Sequence, residues 1–333
     1  MKKKWFIGID ISKKTLDVVI YDSSKKHSDS DNYNRLTNDK EGYTTLLSWL
    51  KKKRIALDEV LIGLEHTGTY SFDLRLFLEN RQMDYCAFTP LHLKRSLGLV
   101  RGKNDKVDAE RIAYFTYLHR EELPCSKLSG STILRLQELS SERKRFVTQQ
   151  AGYKALLTDN RERPQTSTLR RARDMAEVLE EEIRSVEEEM NALVAKDPSI
   201  AKNHQLLTGI KGIGSINAIS TIIHTNNFEA FETARQYACY LGIAPFDRSS
   251  GTSVRGKAQV SHIGAKLLKA DISQAAKSAI VWDKELKGYY ERKIKEGKAF
   301  GVVLNAVKFK LVCRMFAVVR RGTPFVELET YKN

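Results

Sequence analysis

The chain has 333 residues, 41% of them apolar, which is enough for two hydrophobic cores joined by a connector. Its 56 Lys and Arg against 41 Asp and Glu leave a net charge of +15, the balance of a polyanion binder, a bias that a membrane-surface protein would share. Four scattered cysteines without a C-x-x-C pair exclude a zinc module and a disulfide framework, and no run of about 18 apolar residues offers a membrane span. The expectation is an intracellular protein of a reducing compartment with no targeting segment. Its positive charge is uneven: residues 251–333 hold 17 basic against 7 acidic residues, while residues 151–200 hold 8 against 11.

In chain order, Trp5–Ile11 and Thr15–Tyr21 are short β-branched runs around the polar Ser12-Lys13-Lys14, the pattern of a hairpin. Asn32–Leu36 adds a candidate third strand. A helix is predicted from Asp39, with Tyr43, Leu46, Leu47 and Leu50 at helical spacing. Glu59–Glu65 is a strand ending in an acid, His66–Tyr70 a turn, Phe72–Leu78 a helix and Asp84–Phe88 another strand. Such alternation predicts an α/β layer with a mixed sheet.

One acid interrupts the first strand. Asp10, within Ile-Asp-Ile, is costly to bury unless a cation neutralises it, although an acid at a strand end facing water is the plainer reading of the residue alone. A basic, glycine-bearing stretch from Lys94 to Lys103 then leads into a helix starting near Asn104 or Asp105. Asp105 and Asp108, three apart, share one face of its first turn, where acids also serve as ordinary cap and dipole residues. Asp10, Glu65, Asp105 and Asp108 together read differently: two acids at strand ends and two at a helix start that can pack across them. Four carboxylates without His or Cys suit hard cations, most simply two Mg²⁺ ions, with Mn²⁺ the alternative. Two such ions roughly 3.5–4 Å apart can clamp the attacking and leaving oxygens of a phosphodiester.

Residues 130–200 change character. Leu136, Leu139, Phe146, Tyr153 and Leu157, and then Leu169, Ala172, Ala176, Leu179, Ile183, Val186, Met190 and Leu193, follow three-and-four spacing. A turn around Asn160 to Pro164 makes the two an antiparallel pair, either an oligomerisation arm or a hairpin joining domains. The narrow seam and the acidic runs at Glu180–Glu182 and Glu187–Glu189 favour the arm. Beyond Pro198, Leu206–Ala218 with its Gly209-Ile210-Lys211-Gly212-Ile213-Gly214 core has the form of a helix-hairpin-helix. Backbone N–H groups at Gly212 and Gly214, beside Lys211, can hold a phosphate there; the alternative is a Gly-rich helix connection. Phe246–Lys257 reads as a small, hydroxyl-rich loop flanked by Arg248, Arg255 and Lys257. A serine in it is either a nucleophile, if metal ions or a base activate it, or a phosphate-contacting hydroxyl. Lys266, Lys269, Lys277, Lys284 and Lys287 then decorate helices as polyanion contacts or solvated faces.

Taken together, Gly8-Ile9-Asp10, Glu65 with Thr67-Gly68-x-Tyr70, and Lys103-x-Asp105-x-x-Asp108-Ala109 resemble the DEDD set of bacterial insertion-sequence transposases with a RuvC-like first domain. The glycine motif at 209–214, Leu241-Gly242-Ile243-Ala244-Pro245 and Ser250-Gly251-Thr252-Ser253-x-Arg255-Gly256-Lys257 resemble that family's C-terminal domain, a plan that Piv-type DNA invertases share. The resemblance implies a RuvC/RNase H-like α/β domain over 1–125, a coiled-coil helical connector over 126–198 and a mostly α domain over 199–333. It implies a recombinase of double-stranded donor and target DNA, guided by a non-coding bridge RNA and assembled as dimers to tetramers in the bacterial cytoplasm at the nucleoid. In that family the four acids hold Mg²⁺ and a serine attacks the DNA backbone. By position that serine is Ser250, with Ser249 beside it leaving the choice open; Lys103, Lys211, Arg248, Arg255 and Lys257 contact nucleic acid. The rival readings are a RuvC-type resolvase in which water attacks, and an actin-fold ATPase or kinase, which would want a glycine soon after Asp10 where Ile11-Ser12-Lys13 supplies none.

Overall fold

The alternating apolar run Trp5–Ile11 forms strand β1 and Thr15–Asp22 forms β2, closed by a tight turn in which the Ser12 hydroxyl accepts the Thr15 N–H at 3.0 Å. With β3 (Tyr33–Thr37), β4 (Val60–Glu65) and β5 (Tyr85–Phe88) they build one mixed sheet in the order β3-β2-β1-β4-β5. β1 pairs antiparallel with β2 and parallel with β4. The structure, a computed structural model, describes residues 3–22, 30–65, 68–88, 104–162, 166–250, 254–260 and 266–326. Its chain divides into two compact units, Met1–Leu128 and Ser129–Asn333.

The period of two along each strand sorts the first unit's core into two layers. Ile7, Ile9, Ile11, Leu16, Val18, Ile20, Ile62 and Leu64 face helices α1 (Lys40–Lys52) and α2 (Phe72–Asn80), which contribute Leu46, Leu50, Leu74 and Leu78. Helix α1 starts where the sequence predicts it: the Asp39 carboxylate accepts the Gly42 N–H at 2.9 Å. Phe6, Leu61, Cys86 and Phe88 lie on the opposite face against Ile112 and Phe115 of helix α3 (Asp105–Leu118).

Helix α3 rides directly on backbone. A Cβ at Gly8 would lie 2.0 Å from the Ala109 carbonyl oxygen, and one at Gly63 would lie 1.9 Å from Thr116 Oγ1. The helix runs antiparallel to β1, with Tyr117 near its end packed edge-on to Phe6. Its N-terminus therefore sits at the end of β1 and β4 that carries Asp10 and Glu65.

The second unit is almost wholly helical apart from one hairpin. Helices α4 (Ser131–Asp159) and α5 (Ser167–Lys196) lie antiparallel, with pairs Arg135–Glu189 at 2.9 Å, Arg143–Glu187 at 2.6 Å and Lys154–Glu180 at 3.2 Å. Leu169, Ala172, Ala176, Leu179, Val186 and Met190 are buried along the seam, and Ile183 and Leu193 are partly covered. Nearer the base, Ile133, Leu136, Leu139, Val186, Met190 and Val194 merge into one core with the C-terminal helices, so this end of the pair is an integral part of the unit.

Asp197 caps α6 (Pro198–Thr208), accepting the Ser199 and Ile200 N–H groups at 3.1 Å, with Pro198 at the first helical position. After the glycine turn come α7 (Ser215–His224) and α8 (Ala234–Tyr240), the latter opened by a Thr233/Gln236 capping box. Pro245–Ser250 and Val254–Val260 are strands β6 and β7, paired antiparallel with an irregularity between Phe246 and Arg248. The expectation of a loop over 246–257 is thus corrected. Cross-strand pairing orders a segment whose serines, glycines and charges have little strand propensity. Helices α9 (Lys266–Trp282), α10 (Lys284–Lys295) and α11 (Phe300–Arg321) complete the unit. Asp283, almost wholly buried, caps α10 through the Leu286 N–H at 2.8 Å and takes Arg314 of α11 at 2.6 Å. Among the described residues no helix is long and apolar enough to cross a membrane.

Candidate active site

One rung of the sheet gathers the charged side chains. Arg35 of β3 stands opposite Asp17 of β2, and Asp17 opposite Asp10 of β1. The parallel register that pairs Ile9 with Leu64 continues to bring Glu65 beside Asp10, and Glu65 pairs with Phe88. Residues paired in this way project to the same face, here the face under α3. Above the rung is the first turn of α3, capped by Asn104, whose side-chain oxygen accepts the Lys106 N–H at 3.1 Å. Asp105 and Asp108 belong to that turn.

The site is strongly electronegative. Burial raises the Asp10 carboxyl to about 6, and the charges of Asp108, Glu65, Asp105 and Asp17 push it in the same direction. Glu65, Asp105 and Asp108, the other sequence-predicted acids, thus all stand within electrostatic reach of Asp10. Basic side chains offset part of this charge. Arg35 Nη2 donates to Asp105 at 2.6 Å while its Nε and Nη2 donate to the Asp17 oxygens at 3.1 Å, and Arg111 donates to Asp108 at 2.7 Å. Lys106 lies 5.2 Å from the Tyr33 ring centroid.

Asp17, Tyr33 and Arg35 join the site from outside the sequence-predicted set. Asp17 is 2% exposed and fully engaged, since the Tyr33 hydroxyl also donates to it at 2.6 Å. A signal for it exists: pairing the two runs back from the Ser12–Lys14 turn sets Asp17 opposite Asp10.

The donor set is all oxygen, and burial together with neighbouring carboxylates disfavours the ionised form of its central carboxyl, a chemistry that fits a hard divalent cation. Among the described residues, no three acids, histidines or cysteines stand close enough to hold an ion together. Asp10, Glu65, Asp105 and Asp108 are the residues that would hold one.

In the second unit, Gly212 has φ +94°, and a Cβ there would lie 2.7 Å from the Ala275 carbonyl and the Ala279 side chain. Its bare Cα serves the packing of the turn against α9. Gly214 is the N-cap of α7 with open space beside it, and Lys211 is exposed. Ser215, the first residue of α7, donates to the Asn191 side-chain oxygen on α5 at 2.9 Å and meets His204 of α6 at 3.0 Å. Ser250 is the last residue of β6, paired with Val254 across the tip, and Ser249 pairs with Arg255 and Arg248 with Gly256. Lys103 and the side chains of Arg248, Ser249, Ser250, Arg255 and Lys257 lie outside the described residues.

Comparison with known proteins matches residues 7–159 to the DEDD-type profile described as "Transposase", and residues 204–291 to the one described as "Transposase IS116/IS110/IS902 family". The chain is 24% identical over 330 residues to the pilin gene-inverting protein of Moraxella bovis, covering 97% of this chain and 98% of that one. The same figures hold for the pilin gene-inverting protein of Moraxella lacunata. An uncharacterized 43.6 kDa protein of insertion element IS110 from Streptomyces coelicolor is 29% identical over 145 residues, 44% of this chain and 35% of that one. The acid rung falls within the first match and the glycine turn and serine-bearing hairpin within the second; the chain belongs to the DEDD-type IS116/IS110/IS902 family of transposases, enzymes that recombine DNA.

Proposed function

We propose that this protein moves or inverts a DNA segment by cutting and rejoining strands, with the acid rung of a RuvC-like domain and Ser250 of the second unit as its catalytic groups. The observation that carries the reading is the concentration of negative charge on Asp10 from four other carboxylates. Asp10, Glu65, Asp105 and Asp108 would hold Mg²⁺, which when bound would stabilise charge on the oxygens of the scissile phosphate. Arg35 and Arg111 are the counter-charges that keep Asp105 and Asp108 in place, and Asp17 anchors Arg35.

Ser250 attacks phosphorus, its hydroxyl proton leaves, and the displaced deoxyribose oxygen takes up a proton. The phosphoserine link keeps the energy of the broken bond available for rejoining. The basic balance of residues 251–333 supports nucleic-acid binding there, and a guide RNA selects the DNA ends. The α4–α5 pair, a coiled-coil arm with exposed Val147, Leu156, Met175 and Val178, serves assembly into dimers or tetramers.

The test is a cleavage reaction with Mg²⁺ and purified protein bearing its copurified RNA, run on a denaturing gel and followed by sequencing of that RNA. Wild type and Ser249→Ala are expected to give a covalent protein–DNA band and Ser250→Ala none. Cleavage without any such band would assign the attack to water instead.

A further inference from the structure

Helices α8, α9, α10 and α11 enclose a cleft of about 1170 Å³ that no part of the acid rung shares. Its charged lining is Arg235, Lys269, Lys308, Lys310 and Arg314 with a single acid, Glu285, among the described residues. Arg314 already takes that acid at 2.7 Å, together with Asp283. No further acid of the described lining is left to neutralise the other four cations.

Lys308 is the informative residue. It is 7% exposed on a helix face otherwise made of Leu304, Val307, Leu311 and Val312, yet it lines the cleft. Among the described residues its amine has neither a hydrogen-bond partner nor a carboxylate. Lys269, whose amine donates to the Gly242 carbonyl at 3.0 Å, lines the same cleft. The charges of Lys269 and Lys277, both on α9, repel that of Lys308.

Four cations gathered in one largely apolar cleft, with its one acid already taken, repel one another unless an anion meets them. We propose that this cleft seats a phosphodiester of the nucleic acid, with Lys308 and Lys269 as its cationic floor. The inference rests on the nucleic-acid-processing role proposed above and adds a binding site to it. The cleft exceeds the ~300–1,000 Å³ of sites for drug-sized ligands, which gives room for a stretch of chain and not merely an ion. Tyr289, with the Lys310 amine 4.7 Å from its ring centroid, offers an aromatic wall for a sugar or base.

The test is fluorescence anisotropy of the full chain with single-stranded and duplex DNA and RNA of one sequence, across a salt series. Lys308→Met and Lys269→Met are compared with wild type and with Lys196→Met, a change at an exposed lysine outside the cleft. Each cleft variant is expected to flatten the log K against log salt slope by about 0.7–0.9, the loss of roughly one phosphate contact, and Lys196→Met to leave it unchanged. The strand type that shows the flattening identifies the source of the phosphate. Lys308→Met is expected to melt no lower than wild type, so that lost binding is not lost folding; should it melt lower, Lys269→Met decides.

If wild type binds and both cleft variants keep its slope with every strand, the cleft assignment is overturned while the functional reading stands. Wild type that binds no nucleic acid overturns the functional reading itself. Variants that lose affinity only for a poly-glutamate peptide overturn the assignment in favour of an acidic protein partner.

Discussion

Replacing Asp10 with Asn tests the electrostatics of the acid rung without changing its shape. In the folded, metal-free protein the Asp10 carboxyl is raised from 3.8 to about 6. At about 1.4 kcal/mol per pH unit, that gap makes the ionised form about 3 kcal/mol less favourable folded than unfolded. Asp10 is partly open to water, whose screening reduces the figure to about 1–2 kcal/mol. Because the folded value lies above the unfolded one, the stability this group contributes is full below about pH 4 and is lost as pH rises through about 6.

Asp10→Asn removes that loss. In chelator-treated protein at pH 8 it is expected to raise the melting temperature of the first unit by about 3–8 °C, with the advantage fading towards pH 4. Differential scanning calorimetry resolves the transition, and adding Mg²⁺ at pH 8 narrows the gap by stabilising wild type more than the variant. An Asn variant no more stable than wild type at pH 8, or equally favoured at pH 4 and pH 8, would refute the reasoning.

Two further changes probe the frame around the sites. Gly8→Ala forces a Cβ into the Ala109 carbonyl and is expected to cost about 3 kcal/mol or more, read as a lower urea midpoint for the first unit with loss of Mg²⁺ binding. Asp283→Ala strips the α10 cap and the buried one of the two carboxylates that Arg314 meets, leaving it Glu285, and is expected to cost about 2–3 kcal/mol in the melting of the second unit while Mg²⁺ binding by the first unit is unchanged.

The first unit is legible in the sequence because its signals are local. β-branched runs, the Asp39 and Asn104 caps and the spacing of Asp105 and Asp108 each act within a few residues, and the elements form where those signals stand. The partners of the acids are not legible, since Arg35 meets Asp105 across 70 positions of sequence and only strand pairing brings them together. In the second unit the hydrophobic seam of α4 and α5 shows in its period. The β6–β7 hairpin is hidden by residues of low strand propensity. Lys308 is equally hidden, because one lysine in an apolar helix does not disclose which face it takes.

The contact of α3 with bare backbone at Gly8 and Gly63 has a consequence for how this chain can vary. The height of Asp105 and Asp108 over Asp10 and Glu65 is gauged by the Ala109 and Ala113 main chain over Gly8 and by Thr116 over Gly63, so a Leu-for-Ile exchange deep in the other layer leaves the gauge unaltered. Drift in the oily interior and constancy of carboxylate spacing can therefore coexist in one small sheet. Any side chain larger than hydrogen at either glycine would shim the helix upward and reset the spacing of the carboxylates beneath it.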